Sequence, residues 1–153
     1  MDSIHSYLSA GIAVVVGALV AGIYTSHLYH LSSKNEIIKD YLSDLDMIES
    51  LCARYWLFEE EDTSQREHES VGHELRARVD ATGSYATLSK EILGNLYEKF
   101  FELDVRLAMA ATGGSFQTKG HQISPMTYSE VTSILAEMRM LLRSKRNKMF
   151  WAR

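Results

Sequence analysis

The sequence of 153 residues predicts an all-α protein, with one N-terminal transmembrane helix followed by a compact cytoplasmic bundle of about four helices. Three observations predict this fold class. An uncharged stretch from Ser3 to Ser33 is long enough to cross a bilayer, apolar residues recur at steps of three and four in the rest of the chain, and no segment has the alternation of a strand. We therefore expect two parts, residues 1–33 in the membrane and residues 34–153 as one helical domain.

The uncharged stretch covers 31 positions, and its apolar centre runs from Tyr7 to Tyr24. About 20 apolar residues span a hydrocarbon core of about 30 Å. A cleaved signal peptide is the alternative, but no basic residue precedes the stretch, which also exceeds the usual apolar region of about 7–15 residues. All 16 Lys and Arg follow it, beginning with Lys34 and Lys39. This asymmetry predicts an inner-membrane protein with its N-terminus outside and its domain in the cytoplasm.

Small residues form two stripes along the predicted span. The first stripe comprises Ser6, Ala10, Ala13, Gly17 and Ala21, and the second comprises Gly11, Ala18, Gly22 and Thr25. The rest of the circumference is bulky and suits lipid, with Ile12, Val16, Leu19 and Ile23. Small residues allow the close approach that drives helix association in lipid, and two such faces let helices close into a ring. We expect a homo-oligomer that contacts membrane lipid, and a plain anchor without partners is the alternative.

An amphipathic helix of about 25 residues is predicted to follow the span. Ser33 and Glu36 have the spacing of a capping box, which marks a helix start. The apolar residues of this helix are Ile37, Ile38, Tyr41, Leu42, Leu45, Ile48, Leu51, Cys52, Tyr55 and Trp56. Because no Pro or Gly separates it from the span, the two helices could also be continuous, with Ser32 and Ser33 as the only place for a bend.

Three further helices complete the predicted domain. The first runs from the cap at Ser64 to about Ala81, with Gly83 as its stop, and the second runs from about Tyr85 to Ala111. Residues 112–124 form a loop, after which Ser124 and Pro125 start the last helix. The expected buried positions are Val71, Leu75, Val79, Leu88, Ile92, Leu96, Phe100, Leu103, Leu107, Val131, Ile134, Leu135, Met138, Leu142 and Met149.

Side chains with catalytic or metal-binding chemistry are few. The single cysteine, Cys52, excludes an internal disulfide and falls on an apolar face, so we expect a core residue rather than a nucleophile. His68 and His73 are five residues apart, with Glu69 and Glu74 beside them, and this spacing puts the two rings on different helix faces. A solvated polar helix therefore explains them better than a zinc site, and we expect no metal, no cofactor and no dedicated catalytic residue.

Two histidines, His27 and His30, lie where the predicted span meets the cytoplasm. Imidazoles titrate near neutral pH, so these residues are candidates for the mouth of a pore. The alternative is that they are ordinary interfacial residues without a special role. We favour this second interpretation of the two residues.

Arg66 and His73 are separated by six residues, a spacing that resembles the Arg-x(4–6)-His motif of the all-helical HEPN ribonucleases. The resemblance implies an Arg that binds the RNA phosphate and a His that transfers a proton. Glu67 departs from the motif, in which Asn, Asp or His usually follows the Arg. About one such spacing is expected by chance in this composition, so a membrane-tethered ribonuclease is the alternative function rather than the favoured one.

The C-terminal helix is basic through Arg139, Arg143, Arg146 and Lys148. These residues are candidates for contact with RNA phosphates or anionic headgroups, with Phe150 and Trp151 near the bilayer surface. The alternative is a solvated face whose cations favour a helix C-terminus and pair with the acidic run Glu59 to Asp62 of a neighbour. The sequence leaves both interpretations open.

The layout of a short span followed by a compact helical domain resembles the membrane accessory proteins of type VI-B CRISPR loci, which join a span to a HEPN-like domain. The resemblance implies an effector of antiviral defence, a pore that depolarises the inner membrane when an RNA-guided partner is activated. We therefore expect a pore-forming or membrane-perturbing effector that needs no enzymatic turnover. A membrane anchor or scaffold for another protein is the remaining alternative.

Overall fold

The computed structural model describes an all-α chain, with its backbone given for residues 2–57, 65–114, 116–117 and 123–151. Side chains within this part are described except for those at 2–14, 84, 86–89 and 150–151. The helices are α1 (Asp2–Trp56), α2 (Gln65–Ser84), α3 (Ala86–Leu93), α4 (Tyr97–Thr112) and α5 (Pro125–Trp151), with a 3-10 turn at Gly94–Leu96. The described part of the chain contains no strand, so the predicted all-α character is confirmed.

The predicted transmembrane helix is wrong for this structure. Among the residues described, no helix is both long enough and apolar enough to cross a membrane. From Tyr24 onward the helix becomes polar, with Thr25, Ser26 and His27 following in succession. The first half of the predicted span, residues 3–14, lies outside the described side chains.

The first helix continues without interruption past the predicted start at Ser33. Ser33 and Glu36 therefore lie in a helix interior, where the amides that a capping box would satisfy already have helical partners. The absence of Pro and Gly between the two predicted segments explains why the continuous helix forms. The chain divides within α1 into two compact units, Met1–Ile37 and Ile38–Arg153.

The second unit has a core built around the C-terminal half of α1. Its buried α1 positions are Ile38, Tyr41, Leu45, Ile48, Leu51, Cys52, Tyr55 and Trp56. These are eight of the ten apolar positions that the periodicity marks, whereas Ile37 and Leu42 are half-buried. The predicted buried face of this segment is confirmed, because residues three and four apart share one side of a helix.

The predicted stripe of α2 is confirmed, since Val71, Leu75 and Val79 are all buried. The helix runs one residue past its predicted stop at Gly83 and ends at Ser84. Gly72 is also buried, and a Cβ at this position would stand 2.8 Å from Cε2 of Tyr55. The glycine therefore lets the Tyr55 ring lie directly against the backbone of α2.

The single helix predicted over residues 85–111 is wrong, because the chain divides it into α3 and α4. The break is at Gly94, whose φ of +59° ends α3. A left-handed conformation costs little at glycine and cannot continue an α-helix, which explains the 3-10 turn that follows. The change of direction still leaves Ile92, Phe100, Leu103 and Leu107 buried as predicted. Leu96 is half-buried, and Leu88 lies outside the described side chains.

The predicted start of α5 is confirmed at Ser124 and Pro125. The Ser124 Oγ accepts a hydrogen bond from the Thr127 amide at 3.2 Å, which is the geometry of an N-cap. The buried face of α5 comprises Val131, Ile134, Leu135, Met138, Leu141 and Leu142. Met149, also predicted to be buried, is half-buried.

Candidate functional site

The described part of the predicted small-residue stripes consists of Gly17, Ala18, Ala21, Gly22 and Thr25, all of them exposed. The side chains of Ser6, Ala10, Gly11 and Ala13 lie outside the described residues. A Cβ built on Gly17 or Gly22 meets no atom within 4 Å. Close packing within this chain therefore does not require glycine at either position.

The segment from Val15 to Thr25 has two faces of different shape. At about 100° per residue, the bulky side chains fall within an arc of about 140°. These bulky residues are Val15, Val16, Leu19, Val20 and Ile23. The small residues occupy an arc of similar width on the opposite side. All five bulky side chains are more than half exposed, so the segment presents a contiguous apolar surface.

The two histidines that follow this segment, His27 and His30, are both exposed. The His30 ring makes an edge contact with the neighbouring Tyr29 ring, at a centroid distance of 6.4 Å. This contact is local and gives neither histidine a partner in another helix. A pore mouth at these residues stays a prediction.

Arg66 and His73 both lie exposed on α2. Seven residues correspond to a rise of about 10.5 Å, so the two side chains are separated by about two helical turns. The His73 Nδ1 instead lies 3.3 Å from Nε2 of Gln117, a residue with a φ of +55°. The structure does not bring the two residues of the HEPN-like spacing together, and ribonuclease activity stays a prediction.

His68 differs from the solvated helix face expected for it, because it is buried. Its ring stacks on Tyr55 at a centroid distance of 4.5 Å, and the Tyr55 hydroxyl accepts the amide of Gln117 at 2.7 Å. The predicted face is correct for Glu69, His73 and Glu74, which are exposed. Within the described residues, no group of three or more His, Cys, Asp and Glu side chains could hold a metal ion.

Cys52 is fully buried, as its place on an apolar face predicts. Burial raises the pKa of its thiol to about 12, and the nearby Glu49 carboxylate adds to the rise. A thiol with such a pKa remains protonated at neutral pH and is a poor nucleophile. The prediction of a core residue is therefore confirmed.

A groove with a volume of about 860 Å³ lies between α1 and α5. Arg139 on α5 forms ion pairs with α1 across the groove, because its Nη2 atom lies 2.7 Å from Asp46 and 2.6 Å from Glu49. The same atom donates to the Leu45 carbonyl at 3.4 Å. The Arg139 side chain is only 14% exposed. The structure therefore gives this predicted surface cation a role in holding α5 against α1.

The rest of the groove carries two of the other predicted basic residues, Arg143 and Lys148. Both are exposed, and neither forms an ion pair within the described part of the chain. Ser144 and Asn147 lie between them in sequence and also line the groove. Arg146 is half-buried and does not line the groove. The four predicted basic residues therefore do not form one continuous surface. The predicted partners Glu59 to Asp62, like Phe150 and Trp151, lie outside the described side chains.

A partly buried polar cluster joins α1, α2 and α4. The Asp104 Oδ1 lies 2.8 Å from Oγ1 of Thr82 and 3.4 Å from the Tyr41 hydroxyl. Burial raises the pKa of Asp104, and the hydrogen bonds from Thr82 and Tyr41 oppose part of that rise. Sequence spacing does not mark this cluster, because its three members come from three separate helices.

Comparisons of this chain with protein families, with curated proteins and with solved structures found no match.

Proposed function

We propose that this protein acts by contact, as a self-associating, membrane-perturbing accessory protein whose α1 segment Val15–Thr25 is its working surface. The bulky face of this segment contacts lipid, and its small face packs against the same segment of another copy. The observation that carries the proposal is the two-faced apolar surface, which is exposed from Val15 to Thr25. The proposal requires lipid contact along one face and not a crossing of the bilayer.

Burial of the bulky face supplies enough free energy for such a contact. Full burial of one Val, Leu or Ile side chain is worth about 1.5–3 kcal/mol, and these five are already partly covered. At about 1 kcal/mol each, they contribute about 5 kcal/mol, which corresponds to between about three and four powers of ten in affinity. An apolar surface of this kind on a protein is typical of an interaction site.

The small face supports the self-association. Glycine inside a helix costs about 0.5–1 kcal/mol relative to alanine. No close contact with the described part of the chain requires the missing Cβ at Gly17 or Gly22. Close approach of a second backbone is a contact in which a missing Cβ is an advantage. The resemblance to type VI-B accessory proteins, which now rests on the helical domain and not on a span, adds an antiviral role to the proposal. It also adds an RNA-guided defence protein as a partner.

The lipid contact is tested by flotation of the purified full chain with phosphatidylcholine vesicles on a density gradient. We expect the wild type to float and the double variant Leu19→Glu, Ile23→Glu to stay at the bottom, because two charges cannot enter an apolar environment cheaply. The control is Met109→Glu with Met126→Glu, which adds the same charges at exposed apolar positions of α4 and α5. A wild type that stays at the bottom, or equal loss in both variants, would refute the lipid contact.

The self-association is tested by chemical cross-linking of the vesicle-bound protein. Gly17→Leu with Gly22→Leu fills the small face, and both positions have open space around them, so the chain itself tolerates the change. We expect cross-linked dimers and larger species to fall by about tenfold, because the backbones can no longer approach closely. The bulky-face variant Val16→Leu is the control and should cross-link like wild type. Unchanged cross-linking in the glycine variant would show that the small face is not the contact.

A further inference from the structure

We propose that the groove between α1 and α5 binds a phosphate ester, with Arg143 and Lys148 as its charged contacts. This inference does not depend on the lipid contact of the α1 segment. It starts from the difference between the three cations that line the groove. Arg139 is held by two carboxylates and one carbonyl, so its charge is already paired. Arg143 and Lys148 have no such acceptor within the described residues.

The charges around the groove leave a positive surplus. Asp46 and Glu49 contribute two negative charges, and Arg139, Arg143 and Lys148 contribute three positive ones. Both carboxylates lie within 2.7 Å of the Arg139 guanidinium, so Arg143 and Lys148 stand outside these ion pairs and the groove keeps one positive charge in excess. An anion placed between these two side chains offsets their repulsion and gains charge-assisted hydrogen bonds from both.

Arg143 and Lys148 both line the groove, so their long side chains can reach one anionic group although the two residues lie on different faces of α5. Arg143 and Lys148 are five residues apart on α5, which places them about 140° apart around the helix and about 7.5 Å apart along it. Ser144 and Asn147 fall between them and supply neutral donors, a hydroxyl and a carboxamide. The Arg guanidinium is a planar fork that matches two phosphate oxygens, and the Lys ammonium binds a phosphate as a point charge.

The size and the apolar lining of the groove favour an ester over inorganic phosphate. A volume of about 860 Å³ falls within the range of about 300–1,000 Å³ for small-molecule sites and far exceeds one phosphate group. Ala136 and Met140 line the same groove and provide apolar contact for the carbon part of a ligand. A lipid headgroup and a soluble phosphate ester share this chemistry, so the test must separate the two sources.

The test uses the full chain in a non-ionic detergent, titrated with glycerol 3-phosphate by isothermal calorimetry. We expect saturable binding to wild type that becomes about tenfold weaker in Arg143→Gln with Lys148→Gln, because the charge-assisted contacts are lost. The matched control is Lys99→Gln with Arg106→Gln, which removes the same charge at exposed positions of α4 outside the groove. Its affinity should stay within about twofold of wild type, because the contribution of a remote exposed charge is screened by salt.

A second arm identifies the source of the phosphate. Vesicles of phosphatidylcholine with and without phosphatidic acid are compared for flotation of wild type and of the groove variant. Stronger flotation with phosphatidic acid, lost in the groove variant, supports a lipid headgroup, whereas glycerol 3-phosphate binding without that preference supports a soluble ester. Leu19→Glu with Ile23→Glu should still bind glycerol 3-phosphate, so failure of the lipid contact leaves the groove proposal standing.

Three results would overturn the proposal. Equal weakening in the groove variant and in the α4 control would show that net charge alone attracts the ligand. Unchanged affinity in the groove variant would place the binding elsewhere. Binding of a short RNA oligonucleotide that depends on the two cations, without binding of glycerol 3-phosphate or phosphatidic acid, would replace the ligand class with a nucleic acid.

Discussion

Replacing Trp56 with alanine is expected to lower the free energy of unfolding by about 3–5 kcal/mol, a large part of the stability of a domain of this size. Trp56 is 2% exposed at the C-terminal end of α1. Its indole Nε1 donates to the Ala111 carbonyl at 3.2 Å, and its own carbonyl accepts the amide of Ser124 at 2.9 Å. The ring also contacts Tyr55 and Phe116. Alanine would leave a large cavity where α1, α4 and the start of α5 meet.

Trp56→Phe separates the packing from the hydrogen bond. Phenylalanine keeps most of the side-chain volume and loses the donor to Ala111 with a smaller part of the packing, so we expect a smaller cost of about 2 kcal/mol. Urea unfolding followed by circular dichroism measures both variants under the same conditions. Equal losses in the two variants would show that the hydrogen bond, and not the ring volume, carries the effect.

The apolar periodicity is sufficient to predict which faces of the helices are buried. Leu45, Leu75, Leu107 and Leu135 lie in four helices, and each is both a periodic apolar position and fully buried. Burial of one helix face requires only that apolar residues recur every three or four positions. This spacing can be read from a short segment of the sequence. The start of α5 was equally predictable, because Ser124 and Pro125 act within a single helical turn.

Continuity and breaks of helices were less predictable. Ser33 and Glu36 have the spacing of a capping box and lie inside α1, whereas Gly94 ends α3 in a stretch whose apolar pattern continues through it. A cap and a helix interior use the same residue types, and the surrounding packing decides between them. The extent of the predicted span was overestimated for a related reason. The uncharged stretch from Ser3 to Ser33 is not apolar throughout, because Thr25, Ser26 and His27 are uncharged but polar.

The polar contacts between helices could not be predicted from spacing. Arg139 pairs with carboxylates about 90 residues earlier, and Asp104 meets Tyr41 across 63 residues. No local pattern encodes such distances, since they follow from how the helices pack. The sequence does contain one indication of the partly buried polar cluster. Asp104 directly follows the buried Leu103 and so lies at the edge of an apolar face. The sequence identifies the basic residues of α5, but only the structure separates Arg139, which pairs with two carboxylates, from Arg143 and Lys148.

The Asp104 carboxyl group and the Val79 carbonyl group are both acceptors for the Thr82 hydroxyl group. The Thr82 hydroxyl has one proton and lies 2.6 Å from the Val79 carbonyl, which can only accept. The Thr82 hydroxyl can donate this proton to Val79 or to Asp104 Oδ1 at 2.8 Å, and a neutral carboxyl group can donate in return when the proton goes to Val79. Tyr41 can then donate its hydroxyl proton to the same Asp104 oxygen. Burial, which raises the pKa of Asp104, favours this neutral form.

A raised pKa in the folded state fixes the sign of the pH dependence. The folded protein holds the Asp104 proton more tightly than the unfolded chain, whose carboxyl pKa is about 3.9. The contribution of Asp104 to stability is therefore complete below about pH 4 and is lost as the pH rises through the folded-state pKa. One such group changes the free energy of unfolding by at most about 1.4 kcal/mol per pH unit within that window.

Asp104→Asn is expected to remove this pH dependence. An amide can donate to Thr82 and accept from Tyr41 as the neutral carboxyl does, and it does not ionise. The variant should match wild type near pH 4 and become more stable than wild type as the pH rises toward neutrality. Asp104→Ala should be less stable than Asp104→Asn at every pH by about 1–3 kcal/mol, because the Tyr41 hydroxyl loses its acceptor.

Urea unfolding at intervals from pH 4 to pH 8 measures these differences, and taking each variant against wild type cancels the titration of all other groups. A difference between Asp104→Asn and wild type that does not change with pH would show that Asp104 has the same pKa in both states. A difference that grows toward acid would show a lowered pKa and an ionised carboxylate that accepts the Thr82 proton. A gain in the relative stability of Asp104→Asn with rising pH agrees with burial that raises the pKa of Asp104 in the folded protein.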